Sequence, residues 1–283
     1  PADAGRRPRL TSTMEKTCGF VRANDGVRLY YEEAGTGKPI VLIHGGGLSM
    51  DWWRRNFAPL AAEFHVVAAD TRGCGRSDEC DWGHRTARYA MDVREIVHTL
   101  GLHDVTLVGW SIGARTVWSY LELFGDERLR GVVLVDETVQ WEVHTPPDEG
   151  ENPPRQPDES HDDYRRRQMR MMFGRDHRDL SEEELAWMVA SGGKPDQPGR
   201  HTLGGDYKGQ DWRPLCPHIK VPTLITTGEE SGARIGMEYA AEHTPGARLE
   251  VFPGCGHGLF YEDADRFNRT VADFVRGEDR TDI

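Results

Sequence analysis

Short apolar runs alternate with longer amphipathic stretches along most of the chain. Residues 40–43, 64–69, 105–108, 131–135 and 221–227 are apolar or β-branched runs of strand length. Between them, apolar residues recur at three- and four-residue spacing. Trp52, Trp53, Phe57 and Leu60 mark a helix within 51–63, and Ala90, Val93, Val97 and Leu100 mark another that Gly101 can end. Ala114, Val117, Trp118 and Leu121 mark a third, and 235–243 and 263–275 follow suit. Two strands near 18–23 and 27–33 flank Asn24-Asp25-Gly26, a hairpin turn signal, and a last strand covers 249–252. Buried strands alternating with amphipathic helices predict an α/β fold whose eight-stranded, mostly parallel sheet is covered on both faces.

The alternation breaks after Val143. Residues 145–163 hold five prolines and many acids, with almost nothing apolar, which predicts a surface excursion. Helical patterns resume with Met169, Met172 and Phe173 on one face. Ser181 to Glu184 then reads as a capping box, before a helix that Gly192-Gly193 ends. The predicted organisation is a mobile extension over 1–17, a core over 18–137 and 217–283, and a mainly helical cap inserted at 138–216. Met14 is an alternative start.

Composition narrows the function classes. Across 283 residues the formal net charge is −12, with 37% hydrophobic and 29% charged residues, and no dense basic stripe marks a nucleic-acid surface. Arg165-Arg166-Arg167 sits among acids and reads as a solvated helix face. The five cysteines (18, 74, 80, 216 and 255) are odd in number and irregularly spaced, so neither a disulfide framework nor a zinc ribbon is predicted. Twelve scattered histidines without an H-E-x-x-H pattern imply no metal site. No apolar run reaches membrane-span or signal-peptide length, so the cytoplasm is the expected compartment and no membrane partner is expected.

The chemistry concentrates at three loops. Gly109-Trp110-Ser111-Ile112-Gly113 lies between a strand and a helix, the setting of a nucleophile elbow that exposes a serine hydroxyl. His44-Gly45-Gly46-Gly47 follows an earlier strand and suits an oxyanion loop. His257, in Gly254-Cys255-Gly256-His257-Gly258, follows the last strand and is the candidate base.

With this order of loops the chain resembles the α/β-hydrolase superfamily from about Gly19 to Gly277. The segments from Asp70 to Asp78, Gly109 to Gly125 and Arg130 to Asp136 are similar to its cofactor-free haloperoxidase and esterase branch. The Asp70 loop reads as structural rather than catalytic. The resemblance implies a serine hydrolase without cofactor or metal, acting on a small or medium carboxylic ester or lactone. The oxyanion donors it implies are the N–H groups of Gly46 and Ile112. In most of the superfamily the acid follows strand seven, where this chain reads Gly228-Glu229-Glu230-Ser231. A minority place it after strand six, where Asp136 and Glu137 stand. Asp136 is the preferred acid, with Glu137, Glu230 and Glu229 as alternatives, Glu230 being expected to touch only solvent. Gly45, Trp110, Trp187 and Trp212, with Met171, are candidates for a substrate-pocket wall, while packing between insertion and core is the other role open to the last three. Perhydrolase-type haloperoxidase or thioesterase chemistry on the same triad, and a receptor-like binding protein, are the alternative functions. Oligomeric state stays open, a homodimer included.

Overall fold

The computed structural model describes residues 15–140, 155–192 and 200–278, so the expectations for 1–14 and for most of the proline-rich tract lie outside the described residues. Eight strands form one sheet: β1 (Lys16–Arg22), β2 (Arg28–Ala34), β3 (Pro39–Ile43), β4 (His65–Ala69), β5 (Val105–Trp110), β6 (Leu129–Val135), β7 (Thr223–Gly228) and β8 (Arg248–Phe252). Their spatial order is β1-β2-β4-β3-β5-β6-β7-β8, with β2 antiparallel to β1 and β4 and every other pairing parallel. Strand β1 begins at Lys16 because Lys16 and Thr17 pair with Ala34 and Glu33. The last residues of the extension expected over 1–17 therefore belong to the sheet.

Strand periodicity divides the interior into two cores. Val41, Ile43, Leu107, Val132 and Leu134 face one, and Ile40, Leu42, Val108, Val133 and Val135 face the other. Helices α2 (Thr86–Thr99), α3 (Ile112–Phe124) and α7 (Arg234–His243) bury their apolar stripes in the first core. The second is covered by α1 (Phe57–Ala61), α8 (Leu259–Glu262) and α9 (Ala264–Arg276). Between β6 and β7 lie α4 (His161–Met171), α5 (Glu182–Ser191) and α6 (Arg200–Lys208), and Met169, Leu185 and Met188 join the second core. The capping box at Ser181 and Glu184 is present in full. No helix among the described residues is long and apolar enough to cross a membrane.

The helix expected over 51–63 is divided into a 3₁₀ segment, Met50–Arg55, and α1. Asn56 makes the break: its buried side-chain amide donates to the carbonyl of Phe260 and to Asn268 Oδ1, both at 2.9 Å. This junction is tied to α8 and α9 rather than to a continuous helical ladder.

A buried ion network closes the other side. Arg72, wholly buried, donates to both oxygens of Asp92 at 2.6 and 2.7 Å and pairs with Asp25 at 2.8 Å, while Arg88 donates to Asp92 at 2.8 Å. It joins the loop after β4, helix α2 and the first hairpin. Removing one partner from such a pair strands a charge out of water. Asp92→Ala should therefore destabilise the fold by about 3–5 kcal/mol in urea unfolding. Glu182→Ala, at an exposed pair with Arg166, should leave the midpoint unchanged. Equal midpoints for the two variants would remove the network from the account of stability.

Candidate active site

A sharp backbone turn joins β5 to α3. Ser111 occupies φ 56°, ψ −124°, a conformation costly for any residue with a Cβ. Close packing enforces it. A Cβ on Gly109 would lie 2.3 Å from the carbonyl oxygen of Gly113, and one on Gly113 would lie 2.4 Å from that of Ile43. Glycine at 109 lets α3 turn back against the end of β5, and glycine at 113 lets it start against the end of β3. Ser111 is left half-buried at the carboxyl ends of the parallel strands.

Asp136 follows β6 and also has positive φ, 46°. Its carboxylate is wholly buried and accepts four hydrogen bonds. Thr227 Oγ1 and the Gly228 N–H donate to Oδ1 at 2.6 and 3.0 Å. Ser231 Oγ and His257 Nδ1 donate to Oδ2 at 2.6 and 2.7 Å. With Nδ1 engaged, the acceptor nitrogen of a neutral His257 is Nε2. The indole N–H of Trp110, the residue before Ser111, donates to the His257 carbonyl at 2.9 Å, and the two rings lie 5.3 Å apart. The Ser111 turn, whose N–H donates to the Val135 carbonyl at the end of β6, thus lies at the same end of the sheet as the hydrogen-bonded His257 and Asp136.

The glycine loop after β3 is held by its own histidine. His44 is buried, and burial lowers its pKa, favouring the neutral ring. The Thr71 N–H donates to Nε2 at 3.0 Å, which leaves the proton on Nδ1 to be donated to the Gly45 carbonyl at 2.7 Å. Because a trans peptide is planar, fixing the Gly45 carbonyl aims the Gly46 N–H the opposite way. Neither that N–H nor the N–H of Ile112 has a hydrogen-bond partner among the described residues. A Cβ on Gly46 would come within 2.7 Å of Ile112 Cγ1, so the two donors are neighbours.

The other acids point elsewhere. Glu137 accepts from buried Arg115 at 3.0 Å, and Glu229 accepts from the Gly254 N–H at 3.0 Å. Glu230 does not face solvent alone: it accepts from the Arg175 N–H at 2.8 Å, tying this loop to the insertion. Gly45 backs onto the Trp110 ring, 3.0 Å from where its Cβ would be. Trp187 packs on Trp52 and Tyr261, at 5.7 and 6.0 Å, and Trp52 in turn lies 5.4 Å from Trp110. Trp212 stacks on Trp118 in the opposite core, so it packs the insertion onto the body and does not approach Trp110. Met171 closes α4, half-buried.

Four contributors escaped the sequence reading. His44 was visible only as the start of its glycine run, while Thr227 and Ser231 carry no signal as partners of a distant carboxylate. The fourth is Glu262, which accepts from the N–H groups of Gly256 and Gly174 at 3.0 and 2.8 Å. Burial, helped by the Asp136 charge, pushes its carboxyl up to about 7, against the pull of those N–H donors and His257.

A family model described as the alpha/beta hydrolase fold matches residues 38–193. A non-heme haloperoxidase of Rhodococcus erythropolis is 30% identical over 274 residues, covering 90% of this chain and 98% of that protein. A bifunctional esterase/perhydrolase of Acinetobacter calcoaceticus is 28% identical over 281 residues, covering 91% and 99%. Among solved structures, Est816, described as an N-acyl homoserine lactone degrading enzyme, superposes with a TM-score of 0.76 at 26% identity, covering 90% of this chain and all of that one.

Glu262 gives the site a pH signature. Its folded pKa, about 7, lies above its ordinary 4.5, so folding favours the protonated form. That contribution is complete below about pH 4.5 and lost as the pH rises through about 7. Glu262→Gln, which cannot titrate, should lose less thermal stability than the wild type between pH 5 and pH 8. Parallel melting curves for the two proteins across that range would show that Glu262 is already ionised at its lower end.

Proposed function

The chain belongs to the alpha/beta hydrolase fold family, in the branch that includes non-heme haloperoxidases and esterases, and from that premise we propose a serine hydrolase of small or medium carboxylic esters or lactones. The observation that carries the reading is the 2.7 Å hydrogen bond from His257 to Asp136 beside the strained Ser111 turn. Asp136 fixes the imidazole tautomer, and His257 Nε2 takes the proton of Ser111 as its oxygen attacks the acyl carbon. Negative charge on the tetrahedral oxygen is met by the N–H groups of Gly46 and Ile112, each worth roughly 3–4 kcal/mol in such holes. Collapse expels the alcohol, protonated by His257, and leaves an acyl-serine. Water, activated by the same histidine, releases the acid. The described helices between β6 and β7, α4 and α5, are assigned the role of a cap over this centre, since Trp187 of α5 reaches Trp110 through Trp52.

A second reading has specific support. The relatives named haloperoxidase and perhydrolase are similar over nearly the whole chain, and peroxide can replace water as the nucleophile that clears the acyl-serine. The same residues serve both reactions, and peracid formation in peroxide-containing acetate buffer separates them.

Ser111→Ala should lower kcat by roughly 10³-fold or more at unchanged Tm, and should abolish labelling by a fluorophosphonate. Retained turnover with that variant would remove Ser111 from the chemistry. Wild-type protein that stays unlabelled would favour a binding protein.

Asp136→Asn should cost up to roughly 10⁴-fold in kcat, because the amide favours the wrong imidazole tautomer. It should also lower Tm, since an amide –NH₂ must face donors that the carboxylate now accepts. Full activity in the asparagine variant would return the acid to another carboxylate.

A further inference from the structure

We propose that His177, Cys255 and Glu262 form a binding site for a divalent transition-metal ion, Zn²⁺ being the best chemical match, through which the ion inhibits turnover. The three come from separate segments: a 3₁₀ turn, Arg175–His177, in the insertion; the loop after β8; and the end of α8. One ligand atom of each lies within 4.8 Å of the others. Sulfur, imidazole nitrogen and carboxylate oxygen is a donor set that zinc accepts, and water can take the fourth position. Metal–ligand bonds of about 2.0–2.3 Å require these atoms to draw together by roughly an ångström, which side-chain rotation supplies. His177 and Glu262 are half-buried and give the ion a way in, while Cys255 forms the floor.

Two further observations point to a cation here. The Cys255 thiol and the His177 ring have no hydrogen-bond partner among the described residues, although the thiol is almost wholly buried. The charges acting on Cys255 are mainly negative: Glu262, Asp263 and Glu230, against Arg266. Asp136 adds to the field at Glu262, opposed by His257. Glu262 keeps its bonds to the Gly256 and Gly174 N–H groups on binding, since each carboxylate oxygen has a second lone pair. The thiol gives its proton to water as the metal–sulfur bond forms.

The inhibitory half rests on the proposed serine mechanism, and the binding half does not. Cys255 and Glu262 bracket His257 in sequence, and the Gly256 N–H already binds Glu262. A dication held there opposes the imidazolium that His257 must become during acyl transfer, so kcat falls.

Co²⁺ alone, titrated into the full chain, tests the site whatever the activity. The expected result is one equivalent bound, with thiolate-to-metal absorption in the near ultraviolet that Zn²⁺ displaces. Cys255→Ser should abolish that absorption, and Cys18→Ser and Cys80→Ser should leave it unchanged. His177→Ala, at a half-exposed position, should weaken binding by roughly a hundredfold, a scale that even groups hydrogen-bonded to metal ligands reach. It should also relieve Zn²⁺ inhibition of ester turnover while leaving metal-free activity intact. Should Cys255→Ser fail to fold, His177→Ala decides alone. Absence of the absorption, its dependence on Cys18 or Cys80, or unchanged affinity in His177→Ala overturns the site. Stoichiometric binding without any loss of turnover in an active enzyme overturns the inhibition alone.

Discussion

The architecture of the site depends on one close approach, that of the first turn of α3 to the end of β3. Missing Cβ atoms permit it: one on Gly113 would meet the Ile43 carbonyl of β3 at 2.4 Å, and one on Gly109, in β5, would meet the Gly113 carbonyl at 2.3 Å. The consequence is a forced φ of 56° at Ser111, a half-buried residue at the end of β5. The same approach brings the Ile112 N–H beside Gly46, whose orientation His44 sets through the Gly45 carbonyl. The proposed nucleophile and both proposed oxyanion donors are thus placed by the same packing around the start of α3. Strain at Ser111 persists because the sheet and α3 are over-determined by the large core on which they rest.

The proposed acid is held in place by the strand and loop that follow it in the sheet. Asp136 stands after β6, and the loop after β7, where most of the superfamily is expected to carry its acid, supplies donors instead. Ser231 occupies the expected acid position and donates to Asp136 Oδ2, while Thr227 and the Gly228 N–H hold Oδ1. A buried carboxylate is costly unless its lone pairs are filled. Three donors from β7 and its loop, with His257 as the fourth, meet that requirement and fix the ring. Glu137, one residue on, is held instead by the buried Arg115 guanidinium.

Much of this was legible in the chain. The apolar runs at 40–43, 105–108 and 131–135 are strands because both their faces are buried, and the turn glycines around Ser111 and His257 carry their own steric reasons. What escaped were partnerships between residues remote in sequence. Asn56 breaks a helix that its local pattern favours because its amide finds Phe260 and Asn268 some two hundred residues away. Glu230 reads as a solvent-facing loop residue until the insertion delivers the Arg175 N–H to it. Trp187 and Trp212 look equivalent in sequence, yet the chain returns them to opposite cores. Periodicity reports which face of an element is apolar, but not which neighbour will cover it.

The insertion and the His257 loop are coupled more tightly than a cap resting on a core would require. A Cβ on Gly256 would meet the Gly174 N at 2.7 Å, and the Gly258 N–H donates to the Met172 carbonyl at 3.1 Å. Glu262 accepts from Gly174 and Gly256 together, so one carboxylate bridges the two segments directly. On the aromatic side, Trp187 reaches Trp110 through Trp52, and the Trp110 indole is bonded to the His257 carbonyl. A segment joined by backbone contacts cannot slide without shearing them, whereas one joined only by side chains can repack. Movement of the helices that follow β6 is therefore transmitted to the imidazole. Under the proposed function, substrate recognition by that insertion and alignment of the base become one mechanical problem, with Glu262 at the joint.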